Sequence, residues 1–177
     1  PTEMLKGFVL SKIKEVKKRN EINDLWKENI QKLHEYGENV DQSFFQAWFR
    51  GKYARDIRQG QVNAENKDFE HIGSRFHSWF KDNHKELFNL NTSDEFYSFF
   101  KMNFSFYVKL YISMWKNQTE YNKLIPHLYY VNYWGIAESL QDPLLISSID
   151  YGDTDDIINK KLDFVARYIE TFTTIRA

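Results

Sequence analysis

Apolar residues at helical spacing recur along the whole chain, and few residues interrupt them. Seven glycines and three prolines are the strong helix breakers among 177 residues. So few breakers leave little sequence for the tight turns that many short strands require. No segment shows the alternation of apolar and polar residues, bounded by turn residues, that is typical of a strand. The sequence predicts an all-α fold, a single bundle of seven or eight helices.

Capping residues and loop signals set the helix boundaries in the first half of the chain. Thr2 is predicted to be the N-cap of the first helix, and Gly37 to follow the end of the second. Asp41 is predicted to cap the third helix. Residues 56–66 are polar and lack periodicity, so they are predicted to form a loop. The first helix is expected to close on a basic cluster that suits the negative end of its dipole: Lys12, Lys14, Lys17, Lys18 and Arg19.

A long aromatic-rich helix is predicted at the centre of the bundle, over roughly residues 93–116. Thr92 and Glu95 have the spacing of a capping box just ahead of it. Aromatic side chains occupy most of its circumference, which is typical of the most buried helix of a bundle. Further along, Asp142 and Pro143 resemble an N-cap followed by proline at the first helical position, so a short helix is expected to begin there.

Composition excludes several classes of function. The formal net charge is −1, which gives the whole chain no electrostatic bias towards nucleic acid or an anionic membrane. The chain has no cysteine, so disulfides, thiolate catalysis and cysteine-ligated zinc are excluded. No apolar run reaches the ~20 residues that cross a bilayer. We expect one helical domain over residues 1–177, cytoplasmic and without a membrane partner, cut from a longer multidomain protein.

The sequence carries no pattern of an autonomous catalytic or metal site. The five histidines include no His-Glu-x-x-His motif and no pair three or four residues apart. A nucleophile elbow and a glycine-rich phosphate loop are absent as well. We therefore expect no catalytic residue, no metal and no cofactor in this chain. A weaker alternative is a helical enzyme built around His71 and His77.

An acidic cluster near the C-terminus has two readings. It lacks the later glycine and the bidentate glutamate of a calcium-binding EF-hand loop. Carboxylates are also favourable at the N-terminus of a helix, and this explanation is the simpler one. The cluster consists of Asp150, Asp153, Asp155 and Asp156.

A second basic cluster runs off the third helix into the polar loop and is the candidate DNA-binding site. Lys and Arg side chains contact phosphates in protein–DNA complexes. The alternative is an ordinary solvated helix face. The candidate residues are Arg50, Lys52, Arg55 and Arg58.

Several stretches, taken in order, resemble a known family. They are PTEMLKGFVLSKI, WKENI, DQSFFQAWFRGKYA, KDFEHIGSRFHSWFKDN and, at the end, DPLLISSIDYGDTDDIINKKLDFVARYIETFTTIR. Together they resemble the helical part of the N-terminal domain of GmrSD-type restriction endonucleases, over nearly the whole chain. The resemblance implies a parent with an α/β part that handles nucleotide, a helical part, and often a nuclease domain of the His-Asn-His type.

The family acts in defence against phage by nucleotide-dependent cutting of modified DNA. Its Asp-Gly-Gln-Gln-Arg motif and its nuclease motif are both absent here, so no functional residue of the family can be assigned to this chain. The resemblance implies a non-catalytic helical module that supports the nucleotide-handling domain and contacts DNA. The alternative is a scaffold that binds the flanking domains of the same protein and touches no nucleic acid.

Overall fold

The computed structural model describes residues 1–61 and 63–176, with only the backbone of Thr174 and Arg176. The described residues form eight helices and no strand, which confirms the all-α prediction of seven or eight helices. Val62, within the predicted loop, and Ala177, at the end of the predicted domain, lie outside the described residues.

The chain forms two compact units, the first from Pro1 to Val108 and the second from Lys109 onward. The first unit contains α1 (Thr2–Lys12), α2 (Val16–His34), α3 (Val40–Lys52), α4 (Asp68–Asn83) and the beginning of α5. Helix α5 consists of Ser93–Phe99, a π-helical turn at Phe100–Phe104, and Ser105–Thr119. The second unit holds the end of α5 with α6 (Pro126–Tyr133), α7 (Glu138–Ser147) and α8 (Asp155–Arg176).

The core of the first unit is a cluster of aromatic rings. Phe45 lies within it, with ring centroids 5.3 Å from Phe76, 5.5 Å from Trp26 and 5.7 Å from Phe104. Offset and edge-to-face ring pairs at such distances add stabilisation beyond their buried area. The aromatic stripes of the sequence are therefore largely core here, and the largest fully buried side chains are Trp26, Trp48, Phe44, Phe45, Phe49, Phe76, Phe80, Phe96, Phe100 and Phe104.

The second unit has a separate, mostly aliphatic core. Helix α8 packs against both α6 and α7. The His127 ring bonds the Glu170 carboxylate at 2.7 Å and so links α6 to α8. Its buried aliphatic side chains include Leu128 and Val131 of α6, Leu145 and Ile146 of α7, and Leu162, Ala166 and Ile169 of α8.

The predicted capping box is present at the start of α5. The Thr92 hydroxyl accepts the Glu95 N–H at 3.3 Å, and the Glu95 carboxylate accepts the N–H groups of Asn91 and Thr92, both at 2.7 Å. These N–H bonds hold the pKa of Glu95 below its ordinary value. A depressed carboxylate pKa gives stability that is present above the unfolded pKa and lost as pH falls through the folded one.

We expect Thr92→Ala to lower the free energy of unfolding by about 1 kcal/mol, since one helical N–H loses its acceptor. Urea unfolding at neutral pH measures this. Ser98→Ala, an exposed position on the same helix, is the control and should stay within about 0.5 kcal/mol of the parent. Equal losses in the two variants would contradict a specific capping role.

Two predicted N-caps are wrong, and for the same reason. Helix α1 has Pro1 at its N-cap and α3 has Asn39. Thr2 and Asp41 instead lie buried inside the first turns, where the Thr2 hydroxyl donates to the Asp41 carboxylate. His34 Nε2 lies 3.2 Å from the other carboxylate oxygen. The side chains that suggested caps are used for a contact between helices.

The predicted basic end of the first helix is also wrong. Helix α1 ends at Lys12, and Ile13 is extended and buried. Lys17, Lys18 and Arg19 therefore lie at the N-terminal end of α2, where the helix dipole disfavours positive charge. Lys18 is compensated there by ion pairs with Glu15 at 3.1 Å and Asp94 at 2.9 Å.

The predicted helix start at Asp142 and Pro143 is wrong as well. Helix α7 begins four residues earlier, at Glu138, and contains Pro143. Asp142 Oδ1 accepts a hydrogen bond from the Gln118 amide, and Oδ2 accepts one from the Tyr111 hydroxyl. Proline at the first helical position is found instead at Pro126 of α6.

Candidate interaction surface

Arg50, the first of the predicted DNA-binding residues, is used inside the first unit. Its guanidinium carbon lies 4.3 Å from the centroid of the Phe69 ring, and its Nε donates to the Phe69 carbonyl at 2.9 Å. A Cβ at Gly73 would lie 3.5 Å from Nη2, so the guanidinium packs closely against α4. Burial lowers the pKa of Arg50, opposed by the charge of Glu70. The residue joins α3 to α4.

Of the other three candidates, Arg55 and Arg58 have carboxylates as neighbours. Lys52 is partly buried and has interactions with neighbouring residues. Arg55 Nη1 pairs with Glu86 at 2.8 Å. Arg58 is exposed, and its backbone N–H donates to the Glu70 carboxylate at 3.0 Å. The structure therefore brings Arg55 and Arg58 to the surface, with Glu86 paired to the first and Glu70 near the second.

The histidines differ in their exposure and in their hydrogen-bond partners. Among the described residues no group of three or more His, Asp and Glu could hold a metal ion. His71 is exposed, whereas His77 Nδ1 is buried without a partner in the described part of the chain. Burial lowers the pKa of His77, with added repulsion from the N-terminal amine and Arg75. His84 Nδ1 lies 2.8 Å from the Lys81 carbonyl oxygen.

The acidic cluster is organised around a lysine. Lys161 Nζ lies 2.7 Å from Asp153 and 3.3 Å from Asp150. The lysine, with the Asp150 N–H, lowers the pKa of Asp153. Asp155 and Asp156 begin α8, as the capping explanation predicts.

Exposed large apolar side chains are concentrated in the second unit. In the first unit the exposed ones are Met4, Val16, Ile57 and Met102. Helix α8 alone exposes five, at spacings of seven, four, four and three residues, which place them on one face. We call them the α8 outer stripe: Ile157, Phe164, Tyr168, Phe172 and Ile175.

The α8 outer stripe is distinct from the buried face of the same helix. Phe164 is 72% exposed although Leu162, two residues earlier, is fully buried. The rings of Tyr168 and Phe172 stack with centroids 5.6 Å apart. Single exposed apolar residues are ordinary on protein surfaces, but an ordered apolar face marks an interaction site.

A groove borders the α8 outer stripe and has the anatomy of a protein interface. Its volume is about 370 Å³, and Leu124 and Phe164 supply its apolar part. Its remaining walls carry two ion pairs, Asp156 with Lys160 at 2.7 Å and Asp163 with Arg167 at 3.2 Å. Protein interfaces likewise combine apolar with charged and polar side chains.

A second group of exposed and partly exposed aromatics lies on and around α6. Consecutive ring centroids are 5.3–6.0 Å apart from Tyr121 through Tyr129 and Tyr133 to Trp134, and the Tyr130 ring lies 6.1 Å from that of Tyr121. Tyr and Trp are enriched in protein interfaces because they combine a large apolar area with a polar tip. We call this group the tyrosine patch: Tyr121, Tyr129, Tyr130, Tyr133 and Trp134.

Neither surface is predicted from the sequence, because aromatic residues at helical spacing in a bundle are typical of its core. The signal available was the width of the apolar arc on α8, which is too broad for one packed face. None of the described helices is long and apolar enough to cross a membrane. Comparison of the chain with family models, curated proteins and solved structures finds no match.

Proposed function

We propose that this chain is a non-catalytic helical module of a GmrSD-like, nucleotide-dependent restriction system that acts on modified phage DNA. Its task is to dock against the α/β domain that handles nucleotide, and thereby to support that domain. The ordered sequence blocks and the all-α fold support the assignment to the helical part of that family.

The observation that carries the docking role is the α8 outer stripe. Phe164 and Tyr168 are 72% and 58% exposed, and Phe164 lines a groove that also carries charged side chains. Burying a large aromatic side chain contributes about 1.5–3 kcal/mol. Two such side chains at the centre of an interface are enough to act as its anchors. A protein partner with a complementary apolar surface is therefore the favoured ligand.

DNA contact by the chain is the second candidate, and the exposed position of Arg58 favours it. The contacts of its neighbours weigh against it, since Arg50 is engaged with Phe69 and Arg55 with Glu86. Carboxylates beside the basic residues also weaken their attraction for phosphate. We therefore rank protein docking first and DNA contact second.

The test measures binding of the purified chain to the separately produced α/β domain of the parent protein, by titration calorimetry. We expect the double variant Phe164→Asp/Tyr168→Asp to weaken binding at least about 100-fold, because two interface anchors become charged. Met4→Asp, at an apolar side chain 64% exposed in the first unit, is the matched control and should leave the affinity unchanged.

The competing DNA role is measured on the same proteins with modified and unmodified duplexes across a salt series. Salt-sensitive binding that is lost in Arg55→Glu/Arg58→Glu would assign DNA contact to the chain. If that result came with no affinity for the α/β domain, the docking role would be wrong.

A further inference from the structure

A polar cavity of about 220 Å³ lies in the second unit, apart from the α8 outer stripe. The end of α5 supplies Tyr111, Trp115 and Gln118 to its wall, and α7 supplies Glu138, Gln141 and Asp142. Gln118 and Gln141 are each more than nine-tenths buried. Polar side chains that are buried around an open cavity are costly to keep there unless each finds partners.

A hydrogen-bond network holds the walls of this cavity in place. The Gln118 amide donates to Gln141 Oε1 at 2.7 Å and to Asp142 Oδ1 at 2.8 Å. The Gln141 amide donates to the Ile136 carbonyl at 3.2 Å. The Tyr111 hydroxyl lies 3.3 Å from Asp142 Oδ2. The side chains of both α5 and α7 are therefore fixed before any ligand arrives.

The charge of Asp142 is not balanced by this network. Gln118 and Tyr111 bond it as neutral donors, and an ionised carboxylate can accept about four hydrogen bonds. Burial raises the pKa of Asp142, and the two hydrogen bonds only partly oppose that effect. A buried carboxylate is stabilised most by a cation placed directly against it. The eight residues that line the cavity include no lysine or arginine.

Two further features indicate which cation fits. Glu138 adds a second carboxylate at the exposed rim, and the Trp115 ring lines the wall. A guanidinium group is planar, presents several N–H donors to carboxylates and stacks on aromatic faces. The volume is smaller than that of a typical drug-sized pocket, so it suits one side chain or one small molecule.

We propose that this cavity binds a guanidinium group, with Asp142 and Glu138 as its acceptors and Trp115 as the surface on which it stacks. The group comes either from a small free molecule or from an arginine side chain of a partner protein. The proposal does not rest on the restriction function, since it uses none of the residues of the α8 outer stripe.

The experiment titrates the full chain with methylguanidinium, followed by NMR of the indole and amide protons. N-methylurea is the neutral control of similar shape. We expect saturable shifts at Trp115 and Gln118 with methylguanidinium and none with N-methylurea. Asp142→Asn removes the charge but keeps the shape, and should weaken binding at least about tenfold. Glu138→Gln, at the rim, should weaken it severalfold, and Asp155→Asn at the start of α8 should have no effect.

Blocked arginine, acetylated and amidated, distinguishes the two sources. Binding of both probes would indicate an arginine side chain of a partner, and binding of methylguanidinium alone would indicate a small molecule. Equal shifts with N-methylurea, or an affinity unchanged in both Asp142→Asn and Glu138→Gln, would overturn the proposal. Because Glu138 is exposed, its variant provides the test even where Asp142→Asn disturbs the fold.

Discussion

Replacing Phe45 with alanine should lower the free energy of unfolding by about 3–5 kcal/mol. Phe45 is fully buried, and its ring lies within 6 Å of the Phe44, Phe49, Phe76 and Phe104 rings, measured between centroids. A tightly packed core cannot close fully over the space that the ring occupied, so a cavity remains. The cost of this cavity adds to the lost free energy of transferring the ring from water to the core. Urea unfolding, followed by far-UV circular dichroism, measures the change.

Trp48→Phe is the matched control for this prediction. Trp48 is also fully buried, and it stacks on Phe99 and Tyr107 at 5.6 and 5.3 Å. Its indole Nε1 has no hydrogen-bond partner among the described residues. Phenylalanine therefore removes volume and one unsatisfied donor while keeping a ring in place. We expect a smaller loss than for Phe45→Ala, and a larger one would mean that the packing argument is wrong.

The second large effect is expected in the other unit, where Leu162→Ala should cost about 2–5 kcal/mol. Leu162 is fully buried on the face of α8 that packs against α6 and α7. Truncation removes most of an aliphatic side chain from the small core of this unit. Native-state hydrogen exchange of the α8 amides measures the loss, because it reports local as well as global opening.

Phe164→Ala tests whether the two faces of α8 have separate roles. It deletes a larger side chain than Leu162→Ala, two residues away on the same helix. Because Phe164 is 72% exposed, its loss should change stability by no more than about 0.5 kcal/mol. A cost comparable to that of Leu162→Ala would show that the α8 outer stripe stabilises the fold, which would remove the reason to assign it to a partner.

The sequence predicted helix ends correctly where the residues that determine an end lie close together in the chain. The capping box of Thr92 and Glu95 is such a case, because both groups belong to one helical turn. The positive φ at Gly37, 147°, is another, since glycine adopts it without steric cost.

The wrong predictions of caps and helix ends concern residues that contact a part of the chain far away in the sequence. Aspartate is a preferred N-cap residue. Asp41 instead accepts a hydrogen bond from the hydroxyl of Thr2, which is far away in the sequence. Lys14 N–H donates to the Ser93 hydroxyl at 3.0 Å, a long-range contact just after the break between α1 and α2. Nothing near residues 13–15 marks that break. Pro143 lies inside α7, and Asp142, the predicted N-cap, instead accepts a hydrogen bond from Gln118 of α5.

In the candidate sites, too, features set by neighbouring residues were predictable and features set by distant contacts were not. Arg50, Lys52, Arg55 and Arg58 are close in sequence, so their common location was predictable. Their partners were not, since Phe69 and Glu86 come from later segments. The α8 outer stripe was not predicted, because its exposure also depends on contacts with other segments. Spacing identifies Phe164 and Tyr168 as members of an apolar face, but only the packing of α6 and α7 decides which part of that face is covered.

The positions of the tryptophans give the molecule a built-in optical reporter. Trp26, Trp48 and Trp79 are buried in the first unit, whereas Trp134, in the tyrosine patch, is 69% exposed. An indole in water emits at longer wavelength than one in an apolar environment, and soluble quenchers reach it more readily. Covering the tyrosine patch would therefore shift and protect the Trp134 emission, against a background from the three buried indoles and from Trp115, which is partly buried in the second unit. The fluorescence of the unlabelled chain can thus show whether a bound partner touches this patch.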